Sequence, residues 1–331
     1  METHPSFERR LWLFSRRADF WLACGGASTA ILAAVALILL RGDRELDALD
    51  FVLSEFHLGA TYDAVIRRRL WRRQPGDVLA ASLMILALTY GLAVGGHQVL
   101  LTSIAMYAAV WHRGRQSFGV ARYYQRQSGG PVSRTHDLFF RAAIYLPMLA
   151  ATLAFTHGSP AKYEGDPYLA LDLGALTTAL IGIAAALAVI VYVAWVLWQR
   201  RIARGGKRPA AWVHPGEWWI VLAHAAAFGS SYALGATNAS FLLVLAVHHE
   251  IQYLYFTYAM ARPPSGHGPV SGAAATRVSI VSFLFWPVLG FSGAVVGGAL
   301  QLSWLAPLGL GGLFCHYWLD GRIWTRKAFQ N

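Results

Sequence analysis

Long apolar runs alternate along this chain with short basic or turn-forming stretches, and the spacing predicts a series of membrane-crossing helices. A crossing takes about 20 mainly apolar residues, and the first run, from about Phe20 to Leu40, has that length without a charge. The second, Phe51 to Ile66, is marginal because it carries Glu55, His57 and Asp63. It is still required as a crossing if Arg67, Arg68, Arg69, Arg72 and Arg73 are to lie on the same side as the basic N-terminus, as the positive-inside rule demands.

Further spans are predicted over Val78 to Val94 and Gln98 to Trp111, joined by a turn at Gly95 and Gly96, and then over Leu138 to Phe155 and Leu169 to Trp198. Trp218 to Leu234, Phe241 to Ala261 and Val278 to Leu300 follow, and a tenth run ends in the polar stretch Leu313 to Lys327. The expected fold is therefore all-α, a polytopic transmembrane helix bundle of about ten spans. Residues 1–19 and 325–331 are read as cytoplasmic tails around a transmembrane domain over 20–324.

Composition agrees with that pattern. Of 331 residues, 56% are hydrophobic and only 14% charged, which is too apolar for a soluble domain. The formal net charge of +11 would point to nucleic acid in a soluble protein, but here the basic residues sit in short loops where they set orientation, so nucleic-acid binding is excluded as a function. With both termini inside, only Arg41, Arg44 and Lys162 of 28 basic residues fall outside, which supports that orientation; the expected location is a cytoplasmic (inner) membrane, crossed many times. The two cysteines, Cys24 and Cys315, each lie inside a predicted span and offer neither a disulfide framework nor a CxxC zinc motif.

The chemistry is carried by histidine. Seven of the 12 histidines, His57, His112, His136, His224, His248, His249 and His316, fall in the inner halves of predicted spans. Ionisable groups inside a membrane are costly and point to function. His316 and Asp320 are four residues apart and share a helix face. His249 is followed by Gln252 and Tyr253, His112 by Arg115 and Gln116, and His57 by Asp63. Imidazole ligates iron, zinc and copper, and a nearby acid or amide can serve as a second ligand or hold the free ring nitrogen. The expected metal ligands are His57, His112, His249 and His316, with Asp320, Gln252 and Tyr253 in catalytic roles; His248, His224, Asp63, Arg115 and Gln116 are additional candidates. Each has a structural counterpart. His316 with Asp320 could brace two helices, His224 could do the same, and His136 followed by Asp137 reads as a solvated helix start.

The blocks WHRGRQ (Trp111 to Gln116), HEIQY (His249 to Tyr253) and HYWLDGRIW (His316 to Trp324) resemble the W-H-x-x-R-Q, H-x-x-Q-Y and H-Y-x-x-D-x-x-I-W motifs of a poorly characterised family of bacterial polytopic membrane proteins. That resemblance points to His57, His112, Arg115, Gln116, His249, Gln252, His316 and Asp320. The HxxxH and HxxHH boxes of membrane desaturases are absent from the sequence. The scattered histidines are similar in arrangement to the iron ligands of bacterial membrane carotene-cleaving dioxygenases. The expected function is a membrane-embedded, histidine-ligated metalloenzyme, an iron oxygenase or oxidase acting on a lipid or other apolar substrate among membrane lipids, with an electron donor. Zinc or haem are alternative cofactors. A proton-coupled carrier using a His/Asp relay and a haem-binding electron-transfer subunit are the alternative functions.

Overall fold

A computed structural model describes residues 12–39, 45–67, 70–127, 132–158, 162–163, 166–204, 213–235, 241–260 and 306–323. The span expected over Val278 to Leu300 lies outside the described residues, as do the termini of the chain. The described secondary structure is helical apart from a two-residue antiparallel pair, Lys162–Tyr163 with Asp166–Pro167. In chain order the helices are α1 (Arg16–Ala23), α2 (Gly26–Leu39), α3 (Glu45–Arg67), α4 (Leu70–Arg73), α5 (Pro75–Val94), α6 (Gln98–Gln127), α7 (Arg134–Gly158), α8 (Ala175–Arg204), α9 (Pro215–Gly235), α10 (Leu242–Met260) and α11 (Ala306–Ile323).

Three of these, α5, α7 and Ala175–Ile202 of α8, are long and apolar enough to cross a membrane. A fourth is added if α1 and α2 count as one bent span. On α8 the large apolar side chains Leu176, Leu180, Ile183, Leu187 and Ile190 are all more than half exposed. They recur every three or four residues and so form one stripe along the helix. On α5, Leu79 and Leu83, four residues apart, are likewise more than half exposed. In water such stripes would be a liability, whereas acyl chains cover them without cost.

The described residues divide into two compact units. The first is drawn from Met1–Asp47, Val110–Ala161 and Ala170–Phe256. Its centre is α7, packed on α8 and α9. The buried positions of α7 run His136, Phe140, Ala143, Ile144, Pro147, Met148, Ala151, Thr152, Phe155 and Thr156 along one broad face at helical period, with Leu153 buried on the other side. Gly114 on α6 permits close approach to α7, because a Cβ there would lie 2.3 Å from Met148 Sδ.

The expected first span is broken in this unit. A π-helical turn over Asp19–Ala23 closes α1, and across Cys24 and Gly25 the chain bends by 48° into α2. Gly25 has φ +94°, and a Cβ on it would sit 2.2 Å from the Ala223 Cβ, so both its conformation and its packing demand glycine. Buried Asp19 anchors the turn. Its carboxylate accepts from the Leu13 N–H at 2.7 Å, the Phe14 N–H at 3.1 Å, the Tyr124 hydroxyl at 2.7 Å and the Tyr255 hydroxyl at 2.5 Å.

The second unit is drawn from Ala48–Ala109, Lys162–Leu169 and Thr257–Asn331. Here α11 packs on α5, and a small apolar cluster of Ala64, Val65, Leu319 and Ile323 joins α11 to α3. Polar ties reinforce both contacts. The Tyr62 hydroxyl donates to the Gly312 carbonyl at 3.2 Å, and the Cys315 thiol to the Ser82 carbonyl at 3.8 Å. The marginal apolarity of the second expected span is thus explained: α3 turns its polar residues His57, Thr61 and Asp63 into the protein, where they are buried.

Candidate metal centre

Helices α3 and α11 build the best-defined polar cluster of the second unit. His57 and Thr61 are four residues apart on α3, and His316 and Asp320 are four apart on α11, so each pair projects from one helix face. All four side chains are buried, His316 and Thr61 completely. The His57 and His316 rings meet edge to face at 4.5 Å between centroids. One ligand atom from each of His57, His316 and Asp320 lies within 4.8 Å of the others, close enough for these residues to hold a metal ion. Two donor atoms bound to one ion at about 2 Å each are separated by about 3–4 Å, and His316 Nε2 stands 3.8 Å from Asp320 Oδ2.

Thr61 fixes the polarity of the cluster. Its Oγ1 is 3.0 Å from Asp320 Oδ1 and 2.7 Å from His316 Nδ1. A carboxylate accepts only, so the single Thr61 hydroxyl hydrogen goes to Asp320, and the oxygen then accepts from His316 Nδ1–H. That tautomer leaves the His316 Nε2 lone pair directed away from Thr61, the arrangement by which a ligating histidine is held through its other ring nitrogen. Thr61 escapes the sequence pattern because a threonine in an apolar run looks like filler. Its spacing of four from His57 was the available signal. Asp63 is buried on the same helix, but the cluster of close ligand atoms does not include it.

The other expected residues lie in the first unit. His112 on α6 and His249 on α10 form a second imidazole pair, with ring centroids 4.9 Å apart. Gln116 Nε2 donates to the His249 carbonyl at 2.8 Å and to Gln252 Oε1 at 3.2 Å, and Gln252 Nε2 donates in turn to the Ala23 carbonyl at 2.7 Å. The two amides thus tie α6 and α10 to the end of the broken α1. Tyr253 is buried beneath His249, ring centroids 6.5 Å apart.

His248 turns to another face and hydrogen-bonds Ser28 Oγ through Nδ1. His224 donates Nε2–H to the Ile144 carbonyl at 2.9 Å, acting as the helix brace that was its structural reading. Arg115 is exposed and lies against Trp111 and Phe118 at 6.0 and 5.6 Å.

His136 departs from expectation. It is buried rather than solvated, because its Nε2 donates at 2.6 Å to Glu217 Oε1, a buried carboxylate oxygen that also accepts from Tyr192 at 2.9 Å and Gln125 at 3.3 Å. The capping role belongs to Ser133, whose Oγ receives the His136 backbone N–H. Beside this network Arg122 pairs with Asp137, and burial, aided by Arg141, pushes its guanidinium down to about 10. No family model, curated protein or solved structure matches this chain.

Proposed function

We propose that the chain is a membrane-embedded metalloenzyme of the bacterial cytoplasmic membrane, with both termini inside, in which His57, His316 and Asp320 ligate iron. The observation that carries this reading is the convergence of three buried ligand side chains, with His316 held by Thr61 in the tautomer that offers Nε2. Iron bound by imidazoles and a carboxylate supplies a redox centre with positions left for oxygen. His57 and His316 set the geometry, Asp320 contributes negative charge to offset the cation, and Thr61 orients both α11 ligands. The surrounding apolar helices exclude water and favour a lipid or other apolar substrate, with electrons from a separate donor. His112 and His249 are proposed as further imidazole ligands, with Gln116, Gln252 and Tyr253 supporting them. The bundle of about ten spans and the grouping with bacterial polytopic membrane proteins that share the three motifs are part of the same proposal.

The test is metal content per monomer of detergent-purified protein after metal-replete expression, with an optical spectrum. Iron retained by the wild type and lost in His316→Ala at unchanged size-exclusion yield supports the reading. Wild-type protein free of iron, zinc and copper removes it. A Soret band would transfer the function to a haem subunit, for which His224 has only Nδ1 left to offer.

One observation favours the proton-carrier reading. The network around Glu217 buries a carboxylate against His136 and Tyr192, the kind of group that membrane proton pathways use. Its signature would be metal-free protein whose proton flux in proteoliposomes is lost in Glu217→Gln.

A further inference from the structure

At the start of the broken first span, a groove of about 340 Å³ opens between α1 and the N-terminal end of α9. Its walls include Trp12, Arg16, Arg17, Phe20, Trp21 and Trp219. The two guanidinium groups are exposed, and neither forms an ion pair among the described residues. The nearby carboxylate of Asp19 is buried and occupied by four protein donors, so it does not neutralise them. Trp21 is half exposed and Trp219 more than a third, leaving indole surface open beside the positive charge. Phe20 packs edge to face on Trp219, ring centroids 5.1 Å apart, which gives the groove a firm apolar wall.

We propose that this groove binds one anionic membrane phospholipid, its phosphate between Arg16 and Arg17 and its glycerol and upper acyl carbons against Trp21, Phe20 and Trp219. The chemistry selects such a molecule twice. Paired guanidinium groups match a phosphodiester through charge and parallel hydrogen bonds, while tryptophan rings settle at the depth where headgroup meets acyl chain. A soluble anion would use the arginines and leave the apolar wall wet. A zwitterionic lipid would bring its own cation to a site already carrying two. The basic N-terminal side faces the anionic leaflet in the topology predicted here, so the ligand is at hand. The inference rests on the membrane placement and not on the metal.

The experiment reconstitutes the full chain in phosphatidylcholine nanodiscs with a graded fraction of phosphatidylglycerol and counts retained lipids by native mass spectrometry. Wild-type protein should retain phosphatidylglycerol in preference to phosphatidylcholine. Removing both charges in Arg16→Gln/Arg17→Gln should weaken retention about 10- to 30-fold. Arg72→Gln/Arg73→Gln, the same charge change at exposed residues elsewhere, should leave it intact. Should the arginine pair be needed for folding, Trp21→Leu provides an independent arm: the side chain is half exposed, folded yield is read by size exclusion, and retention per folded molecule should still fall. Equal retention of the two lipids, no change in either groove variant, or displacement of the lipid by millimolar inorganic phosphate would overturn the proposal, the last by showing a simple anion site.

Discussion

Replacing Thr61 by valine swaps a hydroxyl for a methyl of nearly the same shape and isolates what Thr61 does. The wild-type oxygen makes two bonds, at 2.7 Å to His316 Nδ1 and 3.0 Å to Asp320 Oδ1, inside a fully buried cluster. A neutral hydrogen bond contributes about 1 kcal/mol and one to a charged group about 1.5–3 kcal/mol. The metal-free variant should therefore lose about 2–4 kcal/mol, because Nδ1 and Oδ1 are left in an apolar surround. If Thr61 also holds the ligands for an ion, metal affinity should fall 10- to 100-fold, or about 1.4–2.8 kcal/mol. The two effects separate in one assay. Chelator-stripped protein is titrated anaerobically with Fe(II) against a competing chelator, and thermal unfolding is followed with and without metal. Metal at about 100 times its Kd stabilises the folded state by about 2.7 kcal/mol, and this increment should shrink in Thr61→Val. Thr61→Ser keeps the hydroxyl and should restore both quantities. An unchanged iron affinity in Thr61→Val, with only the melting temperature lowered, would show that Thr61 braces α3 to α11 and has no part in a metal site.

Other outcomes follow from the same structure. Asp320→Asn should retain the fold and weaken metal binding about 10- to 100-fold, measured as metal per folded monomer. Metal stoichiometry in His112→Ala and His249→Ala tests whether that imidazole pair has a metal role; unchanged metal content in both would confine binding to α3 and α11. Gly25→Ala should destabilise by about 2–5 kcal/mol, from a disfavoured φ and a clash with Ala223, and a melting temperature within error of wild type would refute the packing argument. Glu217→Ala should cost about 3–5 kcal/mol by stranding His136, Tyr192 and Gln125. Glu217→Gln keeps an acceptor oxygen and should cost less in the same melting assay. Reporter fusions should place residue 331 and the Arg200 loop on the same, cytoplasmic side; opposite sides would refute the ten-span topology.

The legible part of this fold is the part dictated by one-dimensional periodicity. Apolar runs gave α5, α7 and α8 nearly in full because a run of that length and apolarity declares itself whatever packs against it. Pairs four apart located His316 with Asp320 for the same reason, since the helix itself brings them to one face. The rest depended on tertiary partners. The break in the first span hides in an apolar run, where Gly25 is one small residue among several until Ala223 packs against it. Glu217 looks like a first-turn acid of α9, and only folding delivers His136, Tyr192 and Gln125 from three other helices. The sequence also did not show that the helix of the span expected over Gln98 to Trp111 continues to Gln127, with His112, Gln125 and other polar residues buried along it.

A structural brace and a metal site make different uses of the same four residues, and the arrangement around His316 favours the second. To hold α3 against α11, one hydroxyl on one partner would suffice, and the apolar contact of Ala64 and Val65 with Leu319 and Ile323 already joins these helices one turn away. Adding two imidazoles and a carboxylate to such a contact brings a burial cost that their mutual hydrogen bonds only offset. His316 Nε2 and Asp320 Oδ2 stand 3.8 Å apart, wider than a hydrogen bond, while Thr61 occupies the opposite edge of the ring. With the ring proton on Nδ1, these two atoms face each other across that gap as acceptors, an arrangement from which a brace gains nothing. A cation between the two atoms gains by keeping it open, and Thr61, by engaging Nδ1 and Oδ1, holds both donors in that separated state.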